Sequence, residues 1–214
     1  MKTALHIGRW LLLGVVAICA GQADLRAIHL LLTRNDIERA LALARWPRSD
    51  TVRAQFHKRY IVTVNGPATE YWAVEQVEVI TEFRRVELMA EEHARINDNW
   101  GRGGIRDVEK SIRPWRGRVS IVVRLGLRAN RPYVGVAPPV EVALGGPGAV
   151  ATIDVRRTDL YANCGGDLNG CALTGSLVEQ VFDAVTVGQT ARPLTVLWKG
   201  SQLAHVTIDF AGLE

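Results

Sequence analysis

The chain has 214 residues, of which 48% are hydrophobic and 22% charged, with a formal net charge of +4. That balance excludes a disordered or fibrous chain and fits one good-sized domain, or one domain with a helical extension. The charge is too small to build the concentrated basic face that nucleic acid or an anionic membrane would need, so neither is expected as a partner.

Residues 1–23 have the pattern of a secretory signal peptide. Lys2 and Arg9 precede an apolar run over residues 10–20, and Gly21, Gln22 and Ala23 are small or polar enough for cleavage. The run is too short for a membrane-spanning helix, which takes about 20 residues. Cys19 follows Ile18, whereas a lipidation signal wants a small residue there. The expectation is an exported protein, periplasmic or secreted, with no stable membrane span after cleavage. Removal of Lys2 and Arg9 would halve the net charge.

Residues 24–58 read as helical. Thr33 opens a capping-box-like Thr33-Arg34-Asn35-Asp36, and Ile37, Ala40, Leu41 and Ala44 follow at helical spacing. Pro47 ends that helix. Ser49 and Asp50 can cap a second one, with Val52 and Phe56 on one face. Residues 60–64 are β-rich and run into an Asn65-Gly66-Pro67 turn. Residues 72–80 read as a strand, and Thr81 caps a helix over 82–96 with Phe83, Val86, Ala90 and His93 along one side. One long helix over 72–96 is the alternative. Residues 97–116 read as a loop.

The clearest signal follows. Val119, Ile121, Val123, Leu125 and Leu127 alternate with Ser120, Val122, Arg124, Gly126 and Arg128, a strand with one buried face. Further strands are expected at 133–136, 140–144 and 150–157, with Pro138 and Pro139 marking an edge or break. Gly145-Gly146-Pro147-Gly148 is a turn, not a phosphate loop, because no Lys-Ser/Thr follows it. Ser176-Leu177-Val178-Glu179 matches a capping box and predicts a short helix to about Val185. A hairpin closes the chain, residues 194–198 against the alternating Ala204, Val206, Ile208 and Phe210. The fold class is therefore α+β: N-terminal helices plus an antiparallel β-sandwich, with an immunoglobulin-like arrangement as one outcome. The expected organisation is a signal peptide at 1–23, a helical and strand region at 24–97, a loop at 98–116 and the sandwich region at 117–214.

Outside the signal segment the cysteines are Cys164 and Cys171. In an oxidising compartment they are expected to form a disulfide; a zinc site would want a His or a second Cys pair nearby. Asp167 and Asn169, inside that loop, are turn residues first. Asp98, Gly103, Ile105 and Glu109 fall at calcium-loop positions, but Trp100 and Arg102 stand where oxygen ligands belong. No His is in metal-ligand spacing with another, so neither a metal site nor a cofactor is expected. Gly-x-Ser-x-Gly is absent, and Ser176 explains itself as a cap.

The remaining candidate is a Trp/Arg set at Trp100, Arg102, Arg106, Arg113, Trp115 and Arg116. Guanidinium and indole groups suit sugars, anions and protein interfaces. Asp98, Asp107 and Glu109 lie among them and can neutralise the charge. The sequence thus points to an exported, non-catalytic binding or interaction module of the cell envelope, its partner a protein or a glycan. The rivals are an envelope-polymer hydrolase whose site is assembled in space, and a structural subunit of an envelope assembly.

Overall fold

The computed structural model describes residues 32–44, 50–64, 66, 69, 71–98, 100–101, 104–128, 137–146, 148–162 and 172–214. The signal segment, Arg102, the expected strand at 133–136 and the Cys164/Cys171 pair lie outside them.

The helical expectations hold where they can be read. α1 (Arg34–Ala44) buries Ile37, Ala40, Leu41 and Ala44, the predicted stripe. Its capping box forms with Asp in place of Glu: Thr33 N–H donates to Asp36 Oδ2 at 2.9 Å, and Asp36 N–H to Thr33 Oγ1 at 3.3 Å. α2 (Asp50–Lys58) follows, then the short β1 (Ile61–Thr63). Residues 72–96 are a strand and then a helix, not one long helix. β2 (Trp72–Ile80) gives way to α3 (Glu82–Arg95) where Thr81 caps the backbone N–H of Arg84. The β-branched run up to Ile80 favours extended chain, and the cap starts the helix.

Two expectations are corrected. The stretch 98–116 is not simply a loop. It contains α4 (Ile105–Ile112), which buries Val108 and Ile112, and a 3-10 turn over Arg113–Trp115. Ile105, Val108 and Ile112 lie at helical spacing among the charges, and Pro114 falls in the first turn of the 3-10 segment, where a missing N–H costs little. The capping box at Ser176 does not open a helix. Residues 176–183 belong to β6 (Ala172–Asp183), and the helix that follows, α5 (Ala184–Val187), is a single turn capped by Asp183. β6 pairs with a neighbour on each side, so a helix there would leave both neighbours' backbone groups unpaired.

The strands complete two antiparallel sheets. β3 (Arg118–Leu127), β4 (Glu141–Leu144), β5 (Thr152–Ala162), β7 (Arg192–Trp198) and β8 (Ser201–Ile208) join β1, β2 and β6 in the orders β1-β2-β3-β6-β5 and β4-β7-β8. Setting β1 aside, β2-β3-β6-β5 opposite β4-β7-β8 is the order in which constant-type immunoglobulin domains place ABED against CFG. α3 and α4 are inserted between the strands equivalent to A and B. The alternating Val119, Ile121, Val123 and Leu125 are all fully buried and meet Leu144, Leu194, Val196 and Phe182 between the sheets. At the far end of the β3–β6 pair, Gly126 faces Gly175, and a Cβ on Gly175 would run into the Leu125 carbonyl. The β7–β8 turn puts Lys199 and Gly200 at φ 48° and 76°, the primed geometry that matches strand twist.

A second, smaller core joins the helices: Ile37, Ala40 and Leu41 of α1, Phe83 and Val86 of α3, Val108 and Ile112 of α4. Glu82 ties these elements together. Its carboxylate accepts the backbone N–H groups of Leu32 and Gly117 and lies 3.8 Å from Arg116. Burial raises its pKa, against the lowering effect of those hydrogen bonds and Arg116.

Candidate functional site: a charged seam between two helices

The seam is built from helical spacing on two elements. α2 presents Arg53 and His57 one turn apart, and α3 presents Arg84, Glu87 and Glu91 on successive turns. Docking α2 on α3 brings these five side chains together. Glu78, from β2, closes the base.

Arg84 is the hub. It donates to Glu87 Oε2 at 2.6 Å and to Glu78 Oε1 at 2.8 Å, and its Nη1 also contacts His57 Nδ1. Its guanidinium lies 5.3 Å from the Tyr60 ring centroid and 5.8 Å from that of Phe56. Glu91 is the second acceptor, taking Arg53 Nε at 3.0 Å and His57 Nε2 at 3.1 Å on the same oxygen. A guanidinium can only donate, so His57 Nδ1 must accept from Arg84, which places the ring proton on Nε2 facing Glu91. His57 is a neutral ring wedged between a cation and an anion.

The protonation pattern follows. Burial pushes the Glu87 carboxyl up to about 8, helped by Glu91 beside it and opposed by Arg84. Burial alone would raise Glu91 too, but the bonds from Glu87, His57 and Arg53 outweigh it and hold it low. The two carboxylates share a proton that resides on Glu87. His57 is lowered, first by burial and then by the Arg84 charge.

The His57, Glu87 and Glu91 ligand atoms all lie within 4.8 Å of one another, a spacing that could hold a metal ion. The hydrogen bonds work against it. A metal on Nε2 would force the ring proton onto Nδ1, facing the Arg84 donor, and would have to displace Arg53 from Glu91. The arrangement is suited to holding and passing a proton. Glu91 is its outward member, on the wall of a 520 Å³ cleft with Arg53 and Arg95. A 390 Å³ groove, floored by Phe56 and Phe83 and rimmed by Arg39 and Arg59, lies between α1 and α2.

The residues singled out by sequence are dispersed. Trp100 stacks on His93 at 4.7 Å, and Asp98 holds both that ring and the Trp100 N–H. Trp115 lies under the Arg85 guanidinium at 3.6 Å, with Arg156 of β5 at 4.8 Å. Arg85 is itself anchored to Glu179 and Ser120 on the outer face of the sheet. Arg116 donates to the Leu32 carbonyl at 3.1 Å. Arg106 and Arg113 are exposed on α4 and the turn after it. The seam itself carried a sequence signal, Arg53-x3-His57 and Arg84-x2-Glu87-x3-Glu91, but its His and its carboxylates sit on different helices. Spacing along the chain could not pair them.

Compared with known families, curated proteins and solved structures, the chain matches no family model, no curated protein and no solved structure. Among the described residues no helix is long and apolar enough to cross a membrane.

Proposed function

We propose that the chain is an exported binding or interaction module of the cell envelope that docks a protein partner along the outer edge of β5. The observation that carries this reading is the edge itself. β5 runs over eleven residues, pairs with β6 on one side, and has no described strand on the other. Ile153, Val155 and Tyr161 are each at least half exposed on it. A long strand at the end of its sheet, with exposed apolar side chains, is the surface to which an extended segment adds as a strand. A protein is favoured over a glycan because Trp100 and Trp115, the indoles of the Trp/Arg set, already hold ring or guanidinium neighbours. Export is supported by the composition of residues 1–23.

The test is a photo-reactive residue at Val155 in the full chain, in the cells that produce it. The expected result is a cross-linked adduct from Val155 and none from Val185, which is 69% exposed on α5. No adduct from Val155, or equal adducts from both, overturns the reading.

An envelope-polymer hydrolase is the second reading, favoured by the contact of His57 with Glu91, whose side chain lies on the wall of a cleft. It requires turnover of envelope polysaccharide or peptide fragments that Glu91→Gln abolishes while the fold survives.

A further inference from the structure

We propose that the partner at β5 is a second copy of the same chain, paired antiparallel to it about a two-fold axis at Thr158. This rests on the edge reading above and names the occupant of that edge.

Strand geometry limits the possible registers. Backbone groups of successive residues point to opposite edges of a strand, so two copies related by a two-fold can pair only with the axis through a residue. The pairing also needs a regular strand. β5 is regular from Asp154 to Ala162. The irregularity at its start leaves Ile153 out of the ladder, and the one near its end leaves out Thr174, a residue of β6. Within that stretch an axis at Asp154, Arg156, Arg157 or Asp159 sets identical charges directly opposite each other, which is destabilising.

The axis at Thr158 avoids this and uses the whole regular stretch. It sets Arg157 opposite the second copy's Asp159, and Asp159 opposite its Arg157. It also sets Val155 opposite Tyr161 on both sides of the axis, covering two of the exposed apolar side chains of the strand. Axes at Val155, Leu160 and Tyr161 are free of like charges too, but each pairs only one end of the regular stretch. Arg157 and Asp159 already form an ion pair within one copy, 3.0 Å apart on the same face of the strand. The dimer would extend that pair into a four-charge cluster across the axis and join two five-stranded sheets edge to edge.

The experiment is sedimentation velocity of the mature chain over about 1–500 µM, with Arg157→Asp and Asp159→Arg measured alone and as an equimolar mixture. The expected result is a concentration-dependent dimer, weakened at least tenfold in each variant alone and restored in the mixture. Each variant alone sets like charges opposite each other, whereas a mixed pair sets opposite charges together at both contacts. Thr158→Lys, at an exposed side chain, is the second variant should either of these fail to fold. It brings two lysines together on the axis and should also abolish the dimer. A wild-type chain that stays monomeric throughout, or a mixture no better than its components, overturns the proposal. If the wild type is monomeric while Val155 cross-links to another protein in cells, the second copy is excluded and the edge reading stands. If Val155 also gives no adduct, both fall.

Discussion

The core of the sandwich and the Arg84–Glu87 centre of the seam between α2 and α3 are buried alike and held by opposite chemistry. Leu125 and Phe182 are fully buried among apolar neighbours, while Arg84 and Glu87 are 2% and 1% exposed among charges. In the first region neighbours are interchangeable, because dispersion and the hydrophobic effect have no direction. In the second each group is specified by its partner. Removing one ion strands another in a site where it cannot be hydrated. The sandwich therefore tolerates changes that conserve volume, and the seam tolerates few changes of any kind.

The largest expected effect breaks that comparison open. Phe182→Ala should cost about 3–5 kcal/mol through the lost transfer energy and the cavity left behind. Arg84→Ala should cost about 3–5 kcal/mol by a different route, because the Glu78 carboxylate loses its cation while the protonated Glu87 and His57 Nδ1 lose their donor. Hydrogen exchange separates the two. The Phe182 variant should lose protection throughout β3 and β6, and the Arg84 variant first in α2 and the start of α3. Equal loss across both regions in the Arg84 variant would show that the helices and sheets unfold as one unit.

Gly175→Ala comes next, at about 1–3 kcal/mol. The added carbon meets the Leu125 carbonyl, a backbone atom that cannot turn aside. The loss should appear in thermal melts and in protection of β3 and β6, with α3 unaffected. A neutral Gly175→Ala would mean that the close strand approach at this end relaxes freely.

The two regions also differed in how far they could be read from sequence. The sandwich was legible because period two is local. The alternation from Val119 to Leu125 states which face is buried without reference to any other segment. The α1 stripe and the Thr81 cap were legible for the same reason. Ser176-x-x-Glu179 misled because a capping box is a weak local preference, and β6 gains two ladders of hydrogen bonds by staying extended. The seam was illegible because its information lies in the docking of α2 on α3. The place of β5 at the end of its sheet among the described strands was equally hidden, since no strand announces in sequence that it will lie there.

Acidity sharpens the comparison further, because the seam is built of titrating groups. Glu87 keeps its proton in the folded protein up to about pH 8, whereas its ordinary value is 4.5. Between those values the native state holds more protons than the unfolded chain, so stability falls as pH rises through that window. His57 and Glu91 act at the acid end. Both are lowered, so each disfavours the folded state once the unfolded chain takes up a proton that the native state refuses, from about pH 6.5 downward for His57. The slope above pH 6.5 is bounded by one proton, about 1.4 kcal/mol per pH unit, and the linked titration of Glu91 keeps it below that. Glu87→Gln supplies the neutral group permanently. Its denaturation free energy should be flatter than the wild type's between pH 6.5 and 8, with the acid-side loss retained. An unchanged slope would place the shared proton elsewhere in the seam.

The smallest expected effect is the most direct control on the claim that burial gives the seam its importance. Arg34 and Glu38 form an ion pair at 3.3 Å, the same chemistry as Arg53 with Glu91, but their side chains are 77% and 55% exposed. Water and salt screen such a pair, and holding two long side chains in place offsets most of the Coulomb gain. Arg34 also begins α1, where a cation opposes the helix dipole. Arg34→Ala should therefore move stability by less than about 0.5 kcal/mol in either direction. Added salt should leave even that difference smaller. A loss comparable to that of Arg84→Ala would mean that ion pairing itself, and not its burial, holds the helical layer to the sandwich.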